Sequence, residues 1–219
     1  MRLRMSRGMA AVMILSLAGG IFAFCTGVHT RKEMGAWLAT LAPVAAAILL
    51  HEAGHILTAR LCGVCMSGLR IDLFGARLKL TGMMSYRREA AIAAAGPAVN
   101  LLSAAVTLLP LYGAGAEGIA SYLAGGEAGG IFALSSVALA AINLLPVRSL
   151  DGGRILRCVL APVCGERVAD AALNLGTALC LGALWAFSVY ALLRVGEMLS
   201  LFAFSVCLLC RMMGVGVEE

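Results

Sequence analysis

Charge is what this chain has least of. Only 13% of its 219 residues are charged, against 61% hydrophobic, where soluble domains carry about 25% charged residues. That shortage excludes a water-soluble globule and points to an integral membrane protein. Histidine and aspartate are scarcer still. There are 3 histidines, and the only aspartates are Asp72, Asp151 and Asp170. Long polar stretches are also missing, so no second soluble domain of ordinary size fits in the loops. The chain reads as a single polytopic unit over residues 1–219, with neither a PDZ nor a CBS domain.

Apolar residues fall into six runs: Met9–Val28, Ala36–Gly63, Ala90–Tyr112, Ala128–Val147, Ala169–Leu193 and Met198–Met213. Each is long enough, or nearly so, to cross a bilayer as a helix. The predicted class is an all-α membrane protein of about six spans. Basic residues set the orientation. With the N-terminus inside, inner segments hold 14 Lys and Arg and outer segments 3, so both termini are expected in the cytoplasm. The net charge of +5 is then a topology signal and not a nucleic-acid footprint. The first run has a basic start like a signal peptide, but its apolar body is long and no small-x-small site closes it.

Within the second run stands His51-Glu52-Ala53-Gly54-His55. Ionisable groups at membrane depth are costly and mark function. Positions i and i+4 share a helix face, so His51 and His55 can grip one zinc ion, with Glu52 beside it as general base. Catalytic zinc takes three protein ligands and keeps one position open. Asp72 lies in a charged loop and Asp170 starts the fifth run. Asp151, after the fourth run in Asn143-Leu-Leu-Pro-Val-Arg-Ser-Leu-Asp-Gly-Gly, is the candidate third ligand. Pro146 is expected to end the fourth helix, and Gly152-Gly153 to allow an unusual backbone that turns the carboxylate back. His51 is about 15 residues into its run, near the inner face at about 1.5 Å per residue, and the fourth run ends on the same side.

Other features have plainer readings. Residues 64–86 alternate around Gly75 and predict a short amphipathic β-hairpin-like loop on the cytoplasmic side, whose edge could receive an extended substrate; a plain basic loop is the alternative. Cys62, Cys65, Cys158 and Cys164 fall on the reducing side, as membrane packing or a second metal site. Gly96-Pro97 provides either space beside the metal or close helix packing. The Gly-rich stretch 113–130 is expected to be a flexible outer loop, and Asn174 a packing contact.

The HEAGH motif at 51–55, the N-x-x-P-x-x-x-L-D-G stretch at 143–152 and Gly96-Pro97-x-x-Asn100 together resemble the site-2 protease family of intramembrane zinc metalloproteases. The six-span plan is most similar to the bacterial branch of stage IV sporulation protein FB. The resemblance covers a catalytic core of about residues 36–155. It implies His51, His55 and Asp151 as zinc ligands, Glu52 as catalytic base, and Asn143 and Asn100 near the substrate, Asn143 as oxyanion stabiliser or interhelical contact. It implies a multi-pass protein of the bacterial cytoplasmic membrane. Such a protease cuts a membrane-anchored protein near the cytoplasmic face, with regulatory membrane partners and a sigma-factor precursor as one substrate. A metal-ion transporter and an inactive adaptor are the competing readings. Glu52 argues against the first, and the full set of four chemical residues against the second.

Overall fold

A computed structural model describes residues 2–5, 31–72, 75–81 and 85–195, with side chains over 39–64, 85–190 and at 193. The first and sixth apolar runs lie outside the described residues, as do Cys25, Cys207 and Cys210. Helices dominate. Helix α1 runs Arg31–Leu61, α2 Tyr86–Leu108, α3 Gly115–Ala124, α4 Ala128–Asn143, α5 Asp151–Cys164 and α6 Glu166–Val195. A 3-10 turn, Leu109–Ala114, links α2 to α3. Strands β1 (Arg2–Met5), β2 (Cys65–Asp72) and β3 (Gly75–Thr81) form a sheet in that order. β2 and β3 are antiparallel, and β1 is parallel to β2.

Among the described residues, three segments are long and apolar enough to cross a membrane: Ala39–Leu61, Tyr86–Ala124 and Glu166–Tyr190. Helix α4 is a shorter apolar helix. The distribution of side chains suits lipid and not water. Leu57, Leu102, Val106, Leu175 and Leu179 point outward, while the interior holds Ala47, Ala93, Ala104, Ala133, Ala140, Asn100 and Ser136. Lipid tails are as apolar as leucine, so burying leucine gains little there. Small residues instead let the backbones approach and collect dispersion contacts. Helices α1, α2 and α4 pack mutually, and α5 bridges α2 and α6. At Gly54, an added Cβ would lie 2.8 Å from the Ala95 carbonyl oxygen. Glycine there sets the spacing of α1 against α2.

Three local expectations are corrected. The stretch 113–130 is not all loop, because Gly115–Ala124 is helical. Its glycines sit mainly at the ends, with Gly115 and Gly126 at positive φ, and Ile119 to Ala124 supplies a glycine-free apolar turn. Helix α4 stops at Asn143, three residues before Pro146, and the intervening residues make a tight turn. Proline disfavours helix in the residue before it, so the helix closes early. Asn174 is exposed on α6 and not packed.

Candidate metal centre

His51 and His55 lie one turn apart on the buried face of α1, each only 4% exposed. Their rings are nearly perpendicular, at 82°, with centroids 4.8 Å apart. Asp151 approaches from the first turn of α5, 100 positions along the chain. Its Oδ2 is 3.2 Å from His51 Nε2 and 3.1 Å from His55 Nε2, and the two Nε2 atoms are 3.2 Å apart. Among the described residues, this trio is the group able to hold a metal ion.

The spacing fits a tetrahedral ion. Ligand atoms about 2.0–2.1 Å from one zinc, at tetrahedral angles, lie about 3.3 Å from each other. All three observed separations fall close to that. The tautomer of His55 fits as well. Its Nδ1 is 2.7 Å from the Ile92 carbonyl, which can only accept, so Nδ1 carries the proton and Nε2 presents a lone pair. Gly96 on α2 supplies the room. A Cβ there would stand 2.3 Å from His55 Nε2 and 2.8 Å from His51 Nε2. The space expected beside Gly96-Pro97 is therefore at the histidines, and α2 runs as one helix through Pro97.

Asp151 is placed by the turn before it. Arg148 N–H donates to Thr177 Oγ1 on α6 (3.0 Å), and Leu150 N–H to the Val147 carbonyl (2.9 Å). Gly152 and Gly153 are helical, contrary to the expectation of an unusual backbone. Their requirement is proximity. Added Cβ atoms would lie 2.1 Å from the Leu144 and Val147 carbonyl oxygens respectively. The bare glycines seat the start of α5 against the turn and aim Asp151 at α1. Arg154, one turn on, is 3.8 Å from Asp151 Oδ1 and 3.8 Å from Glu89 on α2.

The other candidates are distributed as follows. Glu52 is half-buried next to His51. Asn143 is half-buried and donates its amide to the Leu139 carbonyl of its own helix (2.9 Å), not to the trio. Asn100 is fully buried with its amide nitrogen 3.3 Å from His51 Nδ1. Sequence reasoning put Asn100 near substrate and missed this contact; its i+4 spacing from Gly96 on one helix face was the available signal. Cys158 is buried, Cys164 exposed and Cys62 intermediate, while the Cys65 side chain lies outside the described ones.

The model of peptidase family M50 matches residues 126–183, which include Asn143 and Asp151. A Synechocystis protein provisionally named zinc metalloprotease sll0528 is 32% identical over 129 residues, covering 56% of this chain and 31% of that protein. A Mycobacterium tuberculosis protein provisionally named zinc metalloprotease Rip3 is 36% identical over 117 residues, covering 52% of this chain and 29% of that one. The chain thus matches under a third of the length of these relatives. In fold, it is similar to the site-2 protease from Methanocaldococcus jannaschii, with a TM-score of 0.57, 20% identity, and coverage of 94% of this chain and 88% of that one. Over residues 126–183 the chain is thus similar to peptidase family M50, and in fold it is similar to a site-2 protease.

Proposed function

We propose that this chain is a zinc-dependent intramembrane endopeptidase, with His51, His55 and Asp151 as the metal ligands and Glu52 as the catalytic base. The observation that carries the reading is the near-equilateral triangle of His51 Nε2, His55 Nε2 and Asp151 Oδ2, at 3.1–3.2 Å. When bound, zinc supplies a Lewis acid and lowers the pKa of water from 15.7 to about 7. The remaining work falls to the chain. Glu52 takes the proton of the attacking water and later returns it to the leaving amine. Helices α1, α2 and α4 exclude bulk water, which strengthens every charge interaction within. Asn143 stands at the end of α4, where turning its amide from Leu139 toward a carbonyl oxygen would stabilise the developing oxyanion.

The substrate in this reading is a membrane-anchored protein cut near the cytoplasmic face. A helical segment hides its peptide bonds, so it must unwind before attack. In the strand order β1-β2-β3, the outer edge of β3 is unpaired among the described residues and offers backbone partners to an extended chain. The finer reading keeps six spans, both termini in the cytoplasm, the bacterial inner membrane as the site of action, and a sigma-factor or transcription-factor precursor as one substrate class.

The deciding experiment purifies the chain in detergent, measures its zinc content, and co-expresses it with membrane-anchored regulators. Zinc near one per chain, with cleavage lost in Glu52→Gln and in Asp151→Asn, is the expected result. A wild-type protein that binds no divalent ion would overturn the reading.

A further inference from the structure

The structure assigns Asn100 the role of positioning residue for His51: its side-chain oxygen holds His51 in the tautomer that presents Nε2 to the metal. This inference rests on the metal-centre reading above. Asn100 is fully buried in α2, and its amide faces His51 Nδ1 at 3.3 Å. Its other polar atom, Oδ1, is buried without a hydrogen-bond partner among the described residues. Which end of this amide faces Nδ1 decides which nitrogen of His51 carries the proton.

A neutral histidine carries one proton. With Nδ2–H of Asn100 donating to Nδ1, that proton sits on Nε2, and Nε2 cannot then offer a lone pair to a metal. Turning the amide by about 180° about its last torsion exchanges Oδ1 and Nδ2 with almost no change in shape. Oδ1 then accepts a hydrogen bond from Nδ1–H. That rotation pairs the oxygen with His51, moves Nδ2 to the place Oδ1 held, and frees Nε2 toward His55 and Asp151. His55 already has the matching arrangement, with the Ile92 carbonyl at 2.7 Å from its Nδ1. Both rings are thereby held from α2, one by a backbone carbonyl and one by a side-chain carbonyl. The contact differs from substrate binding, since the Asn100 amide faces a histidine.

The test is zinc affinity, measured by chelator competition on detergent-purified wild type, Asn100→Asp and Asn100→Leu. Asn100→Asp keeps a carbonyl acceptor whether or not it is ionised, and it is expected to bind zinc as tightly as wild type. Asn100→Leu has no acceptor, and its affinity is expected to fall about 10–100-fold, with thermal stability in excess chelator little changed. Equal affinity in Asn100→Leu and wild type overturns the assignment. So does a comparable loss in Asn100→Asp, which decides the matter alone if Asn100→Leu does not fold. A wild-type protein that binds no zinc would instead overturn the metalloprotease reading.

Discussion

A Cβ placed on Gly96 would stand 2.3 Å from Nε2 of His55, inside the space between the proposed metal ligands. Gly96→Ala must push the imidazole aside or force α2 away from α1. Either movement approaches 1 Å, and displacements of that size cost about 10²-fold in rate. Gly96→Ala is expected to lose zinc on dialysis and to cleave at no more than about 1% of the wild-type rate. Metal analysis beside a cleavage assay checks this; full zinc content in the variant would count against the placement of the ion.

Glu52→Gln separates chemistry from metal binding. The amide preserves shape and cannot accept a proton. Zinc content should match wild type, while kcat falls about 10²–10⁴-fold, the usual contribution of a positioned acid–base group. A variant that cleaves at the normal rate would remove Glu52 from the mechanism.

Gly152→Ala and Gly182→Ala make a matched pair. At Gly152, an added Cβ meets the Leu144 carbonyl oxygen at 2.1 Å and that of Leu145 at 2.6 Å. At Gly182, on α6, it meets nothing within 4 Å among the described residues. Overpacking of the first kind costs about 1–3 kcal/mol and shifts the start of α5, carrying Asp151 with it. Gly182→Ala should fold as wild type and keep its zinc. Thermal unfolding in detergent, read with zinc content, distinguishes them.

Thiol labelling tests the packing of α5. Burial pushes the Cys158 thiol up to about 11, and the Glu89 carboxylate adds to the shift. A raised thiol pKa means that the reactive thiolate is scarce below it, at about one part in a thousand at pH 8. In variants retaining a single cysteine, exposed Cys164 should label with maleimide at pH 8 well before Cys158. Cys158 labelling should rise steeply as pH approaches 11. Equal rates at pH 8 would mean that α5 is not seated against α2 as described.

Much of this was legible in the sequence for physical reasons. The i, i+4 spacing of His51 and His55 places both rings on one face of any helix. The scarcity of aspartate left Asp151 with few rivals. Charge bias along the sequence leads one to expect both motifs on one side of the membrane. Other features depend on how segments meet, and no local pattern encodes that. Gly96 reads as one small residue among many alanines, yet its missing side chain opens the space at the histidines. Gly152 and Gly153 suggest a bent backbone, whereas the structure needs them to be small within a regular helix. Residues 115–124 look loop-like from their glycine content, because composition does not say that the glycines fall at helix ends. The Asn100–His51 contact bridges two helices, and the i+4 spacing of Asn100 from Gly96 is its one trace in the sequence.

The distance along the chain between His51 and Asp151 also has a consequence for biosynthesis. A ribosome makes both imidazoles long before it makes the carboxylate. On the proposed ligand set, a nascent chain paused anywhere before residue 151 would lack the third ligand. The proposed centre would be complete only once the turn after α4 has docked on α6, so its assembly would report insertion of this region.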